Sequence, residues 1–380
     1  MMGQLLPKLL VALLAALLFF GLAGCAGLKT LGPLPEDLQV RKLPLPYEEG
    51  APVAWHPGGG KLAVGAGRLL IFDPATGAVL TVAEEIPAAL AWSGDGRHLA
   101  ASFIREEESF LRIFAEDGRE LGELRVAGRI HRLVWGPGPE ILAAVVQRED
   151  YAIGAKLDYA LLRWAGRGEA QSSPLHSTMV RRSTAGYFGD RLYRTFHLAL
   201  APLGDEILYT RLHEPPANRP HLRVMLRHLE SGREQEIGRA ELDSGAPLFL
   251  ADSDGLLYGD GSLHTYWLHG PHRTITTFPV PGYFLAATPT GRSLFIDGRL
   301  FKQGEEIAVF PEATAGYFSP LGNSLLICAN KGLYLLSGLD EDHPPELADA
   351  AKQKLLQLRQ WRAEGLISAA DYEEARRKVE

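Results

Sequence analysis

Cysteine is almost absent from this chain. Two occur in 380 residues, Cys25 and Cys328, too far apart in sequence for a Cys-x₂₋₄-Cys metal motif and too few for a disulfide-dense scaffold. Basic charge is not in excess either. Thirty-nine Lys and Arg face 46 Asp and Glu, for a formal net charge of -7. With no basic stripe, nothing points to a nucleic-acid partner. Signatures of catalysis are missing as well. There is no Gly-x-Ser-x-Gly elbow and no His-Glu-x-x-His. The 12 histidines are scattered. The nearest approach to a metal pair is His269-Gly270-Pro271-His272, where turn histidines are ordinarily solvent-exposed. Asp252, Asp254 and Asp260 surround turn glycines, but their irregular spacing fails the calcium-loop pattern, and turn capping accounts for them. No catalytic residue, metal ligand or cofactor is assigned.

What the sequence does have begins at its N-terminus. Lys8 precedes an apolar run from Leu9 to Ala23, which ends Leu22-Ala23-Gly24-Cys25. A positive n-region, an apolar h-region and small residues before a cleavage point make an export signal. The run is short for a span, which needs roughly 20 residues. Its ending resembles the lipobox of bacterial lipoproteins. That resemblance implies a signal peptide over 1–24, with Cys25 diacylated on sulfur and acylated again on its freed amine. Each buried CH₂ contributes about 0.8 kcal/mol, so two or three chains resist extraction where one does not. Membrane lipid would then be one partner, through Cys25, and the cell envelope the location. Ala26 stands where an acidic residue would favour the inner membrane. In a Gram-negative host this points to the periplasmic face of the outer membrane. A secretory signal cut elsewhere and a retained anchor are the alternatives. Lipidation leaves Cys328 alone in Leu325-Leu326-Ile327-Cys328-Ala329, where it reads as core filler without a disulfide partner. Residues 25–37 read as a lipidated tether, since Pro33 and Pro35 oppose regular structure. Twelve extended residues reach at most about 40 Å.

Internal repetition carries the fold. Each unit is an apolar strand, a tight turn and a second apolar strand. Val53-Ala54-Trp55-His56-Pro57-Gly58-Gly59-Gly60-Lys61-Leu62 is the first, and Leu90-Ala91-Trp92-Ser93-Gly94-Asp95-Gly96-Arg97-His98-Leu99 the second. A third follows at Leu133-Val134-Trp135-Gly136-Pro137. Further turns centre on Ala201-Pro202-Leu203-Gly204, Asp252-Ser253-Asp254-Gly255, Thr288-Pro289-Thr290-Gly291 and Ser319-Pro320-Leu321-Gly322. Pro fixes φ, Gly admits positive φ, and the Trp and Leu before each turn are expected to pack between neighbouring sheets. Most units continue into a second hairpin, as in Arg68 to Val82 and Phe110 to Leu124. Four short strands per unit, repeated radially, describe a β-propeller. The chain resembles the WD40-like and TolB-like propellers, whose inner turns often read Ser/Asp-Pro-Asp-Gly. The expectation is an all-β, seven-bladed propeller over 38–340, with six and eight blades left open by irregular outer strands. The last unit lacks a strand, which Leu38 to Leu45 would supply and so close the ring.

The interval from Arg148 to Arg194 is too long for one unit. It is rich in aromatics, with Tyr159 to Trp164 read as blade hairpin and Ser172 to Gly189 as loop. Arg181, Arg182, Tyr187 and Phe188 are the candidate partner surface, because Arg and aromatic side chains anchor interfaces.

Past Pro344-Pro345 the pattern turns helical. Leu347, Ala351, Leu355, Leu358 and Trp361 share a face. Gly365 stops that helix, and Ser368 with Asp371 makes a capping box for the next. Leu355 to Arg377 resembles a SHOCT domain, a short C-terminal helical pair, and 346–380 is assigned to it. The resemblance implies association with a partner or with itself. Three functions follow: a lipid-anchored envelope scaffold or protein-binding module, a periplasmic hydrolase or lyase with a pocket of inner loops, and a small-ligand or glycan sensor. The first is favoured.

Overall fold

The computed structural model describes residues 28–136, 138–216, 219–242, 245–249, 255–259, 263–267, 273–276, 284–288, 291–329 and 332–339. Toward the C-terminus it describes 354–355, 357–358, 361–362, 366–368, 371–372, 374–375 and 378. Cys25, His269, His272, Asp252, Asp254 and Asp260 lie outside the described residues.

Strand β1 (Gln39–Lys42) precedes all the repeats. Six sheets then follow in chain order, each antiparallel and four-stranded. They are β2 (Val53–Trp55) to β5 (Val79–Ala83), with β3 (Leu62–Gly65) and β4 (Leu69–Phe72) between; β6 (Ala89–Trp92), β7 (His98–Arg105), β8 (Glu108–Ala115) and β9 (Glu120–Ala127); and β10 (Arg129–Trp135), β11 (Ile141–Tyr151), β12 (Gly154–Trp164) and β13 (Gln171–Arg181). A short helix α1 (Arg182–Phe188) and a 3₁₀ segment η1 (Gly189–Thr195) lead to β14 (Leu198–Leu200), β15 (Glu206–His213), β16 (His221–His228) and β17 (Glu234–Ala240). The fifth sheet is β18 (Leu248–Phe249), β19 (Gly255–Gly259), β20 (Leu263–Trp267) and β21 (Arg273–Thr276); the sixth is β22 (Leu285–Ala287), β23 (Ser293–Ile296), β24 (Arg299–Lys302) and β25 (Glu305–Val309). The last sheet is β26 (Ala313–Phe318), β27 (Ser324–Ala329), β28 (Gly332–Ser337) and β1. Gln39 pairs with Ser337 and Lys42 with Tyr334, so chain start and chain end share one sheet. The first strands of successive sheets touch one another, β26 to β2, β2 to β6, β6 to β10 and β10 to β14. They face the centre, and the outer strands β5, β9 and β13 are largely exposed. The molecule is an all-β propeller.

The turns explain why the sequence folds this way. At Gly59, Gly96, Gly204, Gly291 and Gly322 the amide donates to the carbonyl three residues earlier. The residue opening each turn then closes the hairpin, as in His56 N to Lys61 O and Ser93 N to His98 O. One backbone geometry thus serves five different turn sequences. The core is divided among the seams between sheets. In β3, Leu62 and Val64 face the last sheet, while Ala63 faces the second. A strand packed on both sides has no polar face, hence its uninterrupted apolar run. The conserved geometry of the seams also uses the tryptophans that precede the turns. Trp55 Nε1 donates to Tyr317 O at 2.9 Å and Trp135 Nε1 to Ala91 O at 2.8 Å, each bond joining neighbouring sheets.

Two segments differ from their sequence reading. Ser172 to Gly189 is not loop: it is most of β13 followed by α1. Its polar composition suits an outer edge strand, and Pro174 falls where the β12–β13 register shifts, a place where a missing N–H is tolerated. The segment read as tether is in contact with the body from Leu28 onward. Leu31 N donates to Val309 O at 3.0 Å, and Leu28 and Leu34 pack against the core of the last two sheets.

Candidate functional site

In every sheet the first strand starts, and the hairpin between the second and third strands turns, at the same end of the ring. That end carries the departures from the repeat. The third sheet is elongated there, with 11-residue β11, β12 and β13. Their hairpin tip and α1 present Ile153 at 77% and Tyr187 at 74% exposure.

The segment α1–η1 is held down by charge and aromatic contacts. Arg181 donates through N and Nε to the Glu214 carboxylate at 2.8 and 2.6 Å, and Thr184 Oγ1 donates to the same carboxylate at 2.6 Å. These contacts hold Glu214 below the usual carboxylate range against its partial burial. Phe188 packs edge-on to Tyr187, centroids 4.9 Å apart, and the Arg191 guanidinium lies over both rings. Tyr193 is buried and donates to Glu107 Oε2 at 2.8 Å, so η1 is fastened to the second sheet's hairpin. Arg129 stacks over the Tyr193 ring at 4.3 Å and pairs with Glu107 and Asp190. Of the four residues expected to form the partner surface, Arg181 serves to anchor α1. Arg182 and Tyr187 are exposed, and Phe188 is half-buried beside Tyr187.

Beneath this cover, toward the centre, lies a group of side chains the sequence reading missed. The register of β10 against β11 shifts between Ile130 and Arg132, with His131 as the extra residue. The shift returns Arg132 to the side of Val134, which faces the fourth sheet. Arg132 Nη1 donates to His131 O at 2.9 Å. Arg194, the next-to-last residue of η1, reaches over the opening: a Cβ placed on Gly50 would meet its Nη1 at 3.1 Å. His197 is 7% exposed. Its backbone N–H donates to Thr210 Oγ1 at 2.9 Å, and Thr210 in turn donates to Thr195 O at 2.5 Å. His131 Nε2 and His197 Nδ1 are buried and, among the described residues, have no hydrogen-bond partner. Burial, with nearby guanidinium groups, pushes both imidazoles down to about 3. Tyr317, on β26 across the ring, is pushed up to about 12 by burial, and the nearby Arg132 charge opposes that rise. In the sequence the Arg-Ile-His-Arg run opening β10 carries no signal for this group, because alternation does not distinguish it from an ordinary strand.

A groove of about 870 Å³ opens between the second and third sheets, bounded by Leu124, Val126, Leu162, Pro174 and His176. Cys328 is buried in the last sheet, its thiol pushed up to about 12. Among the described residues no three His, Cys, Asp or Glu side chains gather as metal ligands would.

No protein-family model matches the chain, and no curated protein matches it. Solved structures do. The β-propeller domain of Cps50 (Swd1) from Myceliophteria thermophila aligns with TM-score 0.52 and 14% identity, over 78% of this chain and 99% of that one. A chain of the mitotic checkpoint complex aligns with TM-score 0.55 and 14% identity, over 84% of this chain and 99% of its own. TolB from Acinetobacter baumannii aligns at TM-score 0.38 over 57% of this chain and 51% of its own. At such identity the first two show the fold alone: a β-propeller.

Proposed function

We propose that this protein is a lipid-anchored scaffold of the cell envelope that binds a protein partner. The observation that carries the reading is the exposed apolar pair Ile153 and Tyr187 on a braced projection of the third sheet. Exposed aromatic and aliphatic groups on a rigid support bind without a large ordering cost. The structural neighbour from the mitotic checkpoint complex is a propeller within an assembly, in keeping with such a role. Each four-stranded sheet is one blade in this reading of the ring, making seven.

The anchor is the Cys25 lipid, after cleavage of 1–24. Since Leu28 already packs on the body, Ala26 and Gly27 alone would separate the acylated cysteine from it, a reach of about 7 Å. The propeller would therefore sit directly on the bilayer. The C-terminal residues support a further contact. Ser368 N donates to Asp371 Oδ2 at 3.1 Å and Asp371 N to Ser368 Oγ at 3.2 Å, the reciprocal bonds of a capping box. A SHOCT-like helical pair there would associate with a partner or a second copy.

The test uses the full chain in bacterial cells given an alkyne fatty acid, with a photo-crosslinking amino acid at Tyr187, at Ile153 or at exposed Val79. The expected result is label on the wild type, none on Cys25→Ala, and one shared crosslinked band from positions 187 and 153 but not 79. Label retained by Cys25→Ala would end the lipoprotein reading. Equal crosslinking from position 79 would end the assignment of the surface.

A further inference from the structure

Among the described residues, Arg132 and Arg194 bring positive charge to the centre of the ring that no carboxylate pairs. Arg132 is half-buried, and among the described residues no carboxylate reaches it; its only hydrogen bond is to the carbonyl of its neighbour. Arg194 likewise has no carboxylate partner among the described residues, in contrast with Arg129, Arg148 and Arg181 around it, all of which are paired. For Arg132, the more withdrawn from water of the two, the lack of a counter-charge is costly. Arg132 can deliver most of its planar fork elsewhere, because a single N–H is engaged. Two imidazoles lie close enough to feel these charges, His131 beside Arg194 and Arg132, and His197 beside Arg132. Among the described residues, His197, 7% exposed, has an unsatisfied Nδ1, and His131 an unsatisfied Nε2. A neutral imidazole can carry its proton on either nitrogen, so both can donate to an acceptor placed between them and the arginines.

From this juxtaposition of Arg132, Arg194, His131 and His197 at the mouth of the central channel, we propose a binding site for a small oxyanion, the phosphate or carboxylate group of a ligand that enters the ring. The two guanidinium groups supply donors only, each neutral imidazole can add one N–H, and planar guanidinium forks match such oxygens in pairs. The position explains the bulge. Without the extra residue His131, position 132 would fall on the opposite face of β10, toward the second sheet. The site is independent of the partner surface above: it requires neither lipid nor a second protein.

The experiment is thermal unfolding of the full chain in detergent, with sodium phosphate, sodium citrate or sodium chloride at equal ionic strength. Either multivalent anion is expected to raise Tm relative to chloride, by about 1.5 °C at several times its Kd. A response to phosphate alone indicates a phosphoryl ligand, and one to citrate alone a carboxylate ligand. Arg194→Gln, at an exposed position, should weaken the response about tenfold in half-effective concentration. Arg132→Gln should abolish it and, by removing a buried unpaired charge, should raise Tm in chloride. Arg125→Gln, on the outer strand β9, should respond as wild type. Absence of any shift over chloride, or an undiminished response in both Arg132→Gln and Arg194→Gln, would overturn the site. So would a fall in Tm for Arg132→Gln in chloride accompanied by an undiminished phosphate response in Arg194→Gln.

Discussion

At the scale of single residues, three tryptophans occupy one repeat position but do not do one job. Trp135 donates across its seam to Ala91 O, and Trp55 likewise to Tyr317 O. Trp92 is 8% exposed, and among the described residues its Nε1 has no partner. Replacement by Phe removes some ring area at each site, but at position 135 it also removes a hydrogen bond of about 1 kcal/mol. Urea unfolding should show Trp135→Phe less stable than Trp92→Phe by about that amount; equal losses would refute the assigned bond. The histidines predict a pH dependence. Both His131 and His197 are lowered to about 3 in the fold, against about 6.5 when exposed. Above pH 6.5 neither state binds the proton, so the pair adds no pH dependence. Below it the unfolded chain takes up protons that the folded chain refuses, so stability falls as pH drops, until the folded values are reached. The slope approaches about 1.4 kcal/mol per pH unit for each histidine. Urea midpoints between pH 6.5 and 4.5 should decline in chloride buffer, and His197→Gln should flatten the decline.

At the scale of elements, the turns were the most legible part of the chain. Their Pro and Gly residues restrict the backbone locally, so the hairpins Leu69–Phe72 with Val79–Ala83 and Glu108–Ala115 with Glu120–Ala127 stand where the sequence placed them. The strand β13 was not legible, because an edge strand with one solvated face needs neither alternation nor apolar residues. The central basic group was hidden for a different reason. Arg132, Arg194 and His197 come from different elements, and a one-residue bulge decides where the first of them points. The turns also interlock, which the sequence could not show. Gly96 has φ +71°, and a Cβ there would lie 2.2 Å from the His56 ring of the neighbouring turn. Gly77 has φ +76° with open space around it. Gly77→Ala should cost about 1 kcal/mol for the left-handed backbone alone. Gly96→Ala carries that cost plus displacement of His56, and should unfold at markedly lower urea. Similar midpoints for the two variants would mean the turns act separately.

At the scale of the whole molecule, the pairing of β1 with β28 joins residues nearly 300 positions apart. The expected need for an extra strand was readable from a last repeat with three strands, because an open ring leaves an unpaired edge. What the sequence did not disclose is how much else is tied to that closure. Leu38 and Leu43 flank β1 and are buried, Leu43 N donates to Leu333 O at 2.8 Å, and Arg41 Nη2 donates to Pro74 O in the first sheet at 2.6 Å. The strand therefore belongs to the last sheet and touches the next one. Removing residues 1–43 deletes four backbone pairs and two buried leucines, each worth about 2 kcal/mol of burial. It also exposes the edge of β28, whose Leu333 and Leu336 lie in two different cores. A chain beginning at Pro44 should lose several kcal/mol by urea unfolding and should self-associate through the open edge in light scattering. A chain beginning at Cys25, with the cysteine changed to Ser to exclude lipidation, should remain monodisperse unless the C-terminal residues pair copies. Removing 341–380 from both chains separates those causes: association that persists in the chain beginning at Pro44 belongs to the edge. If instead that chain stays monomeric and as stable as the longer one, closure by β1 contributes little, and the ring is held by its seams alone.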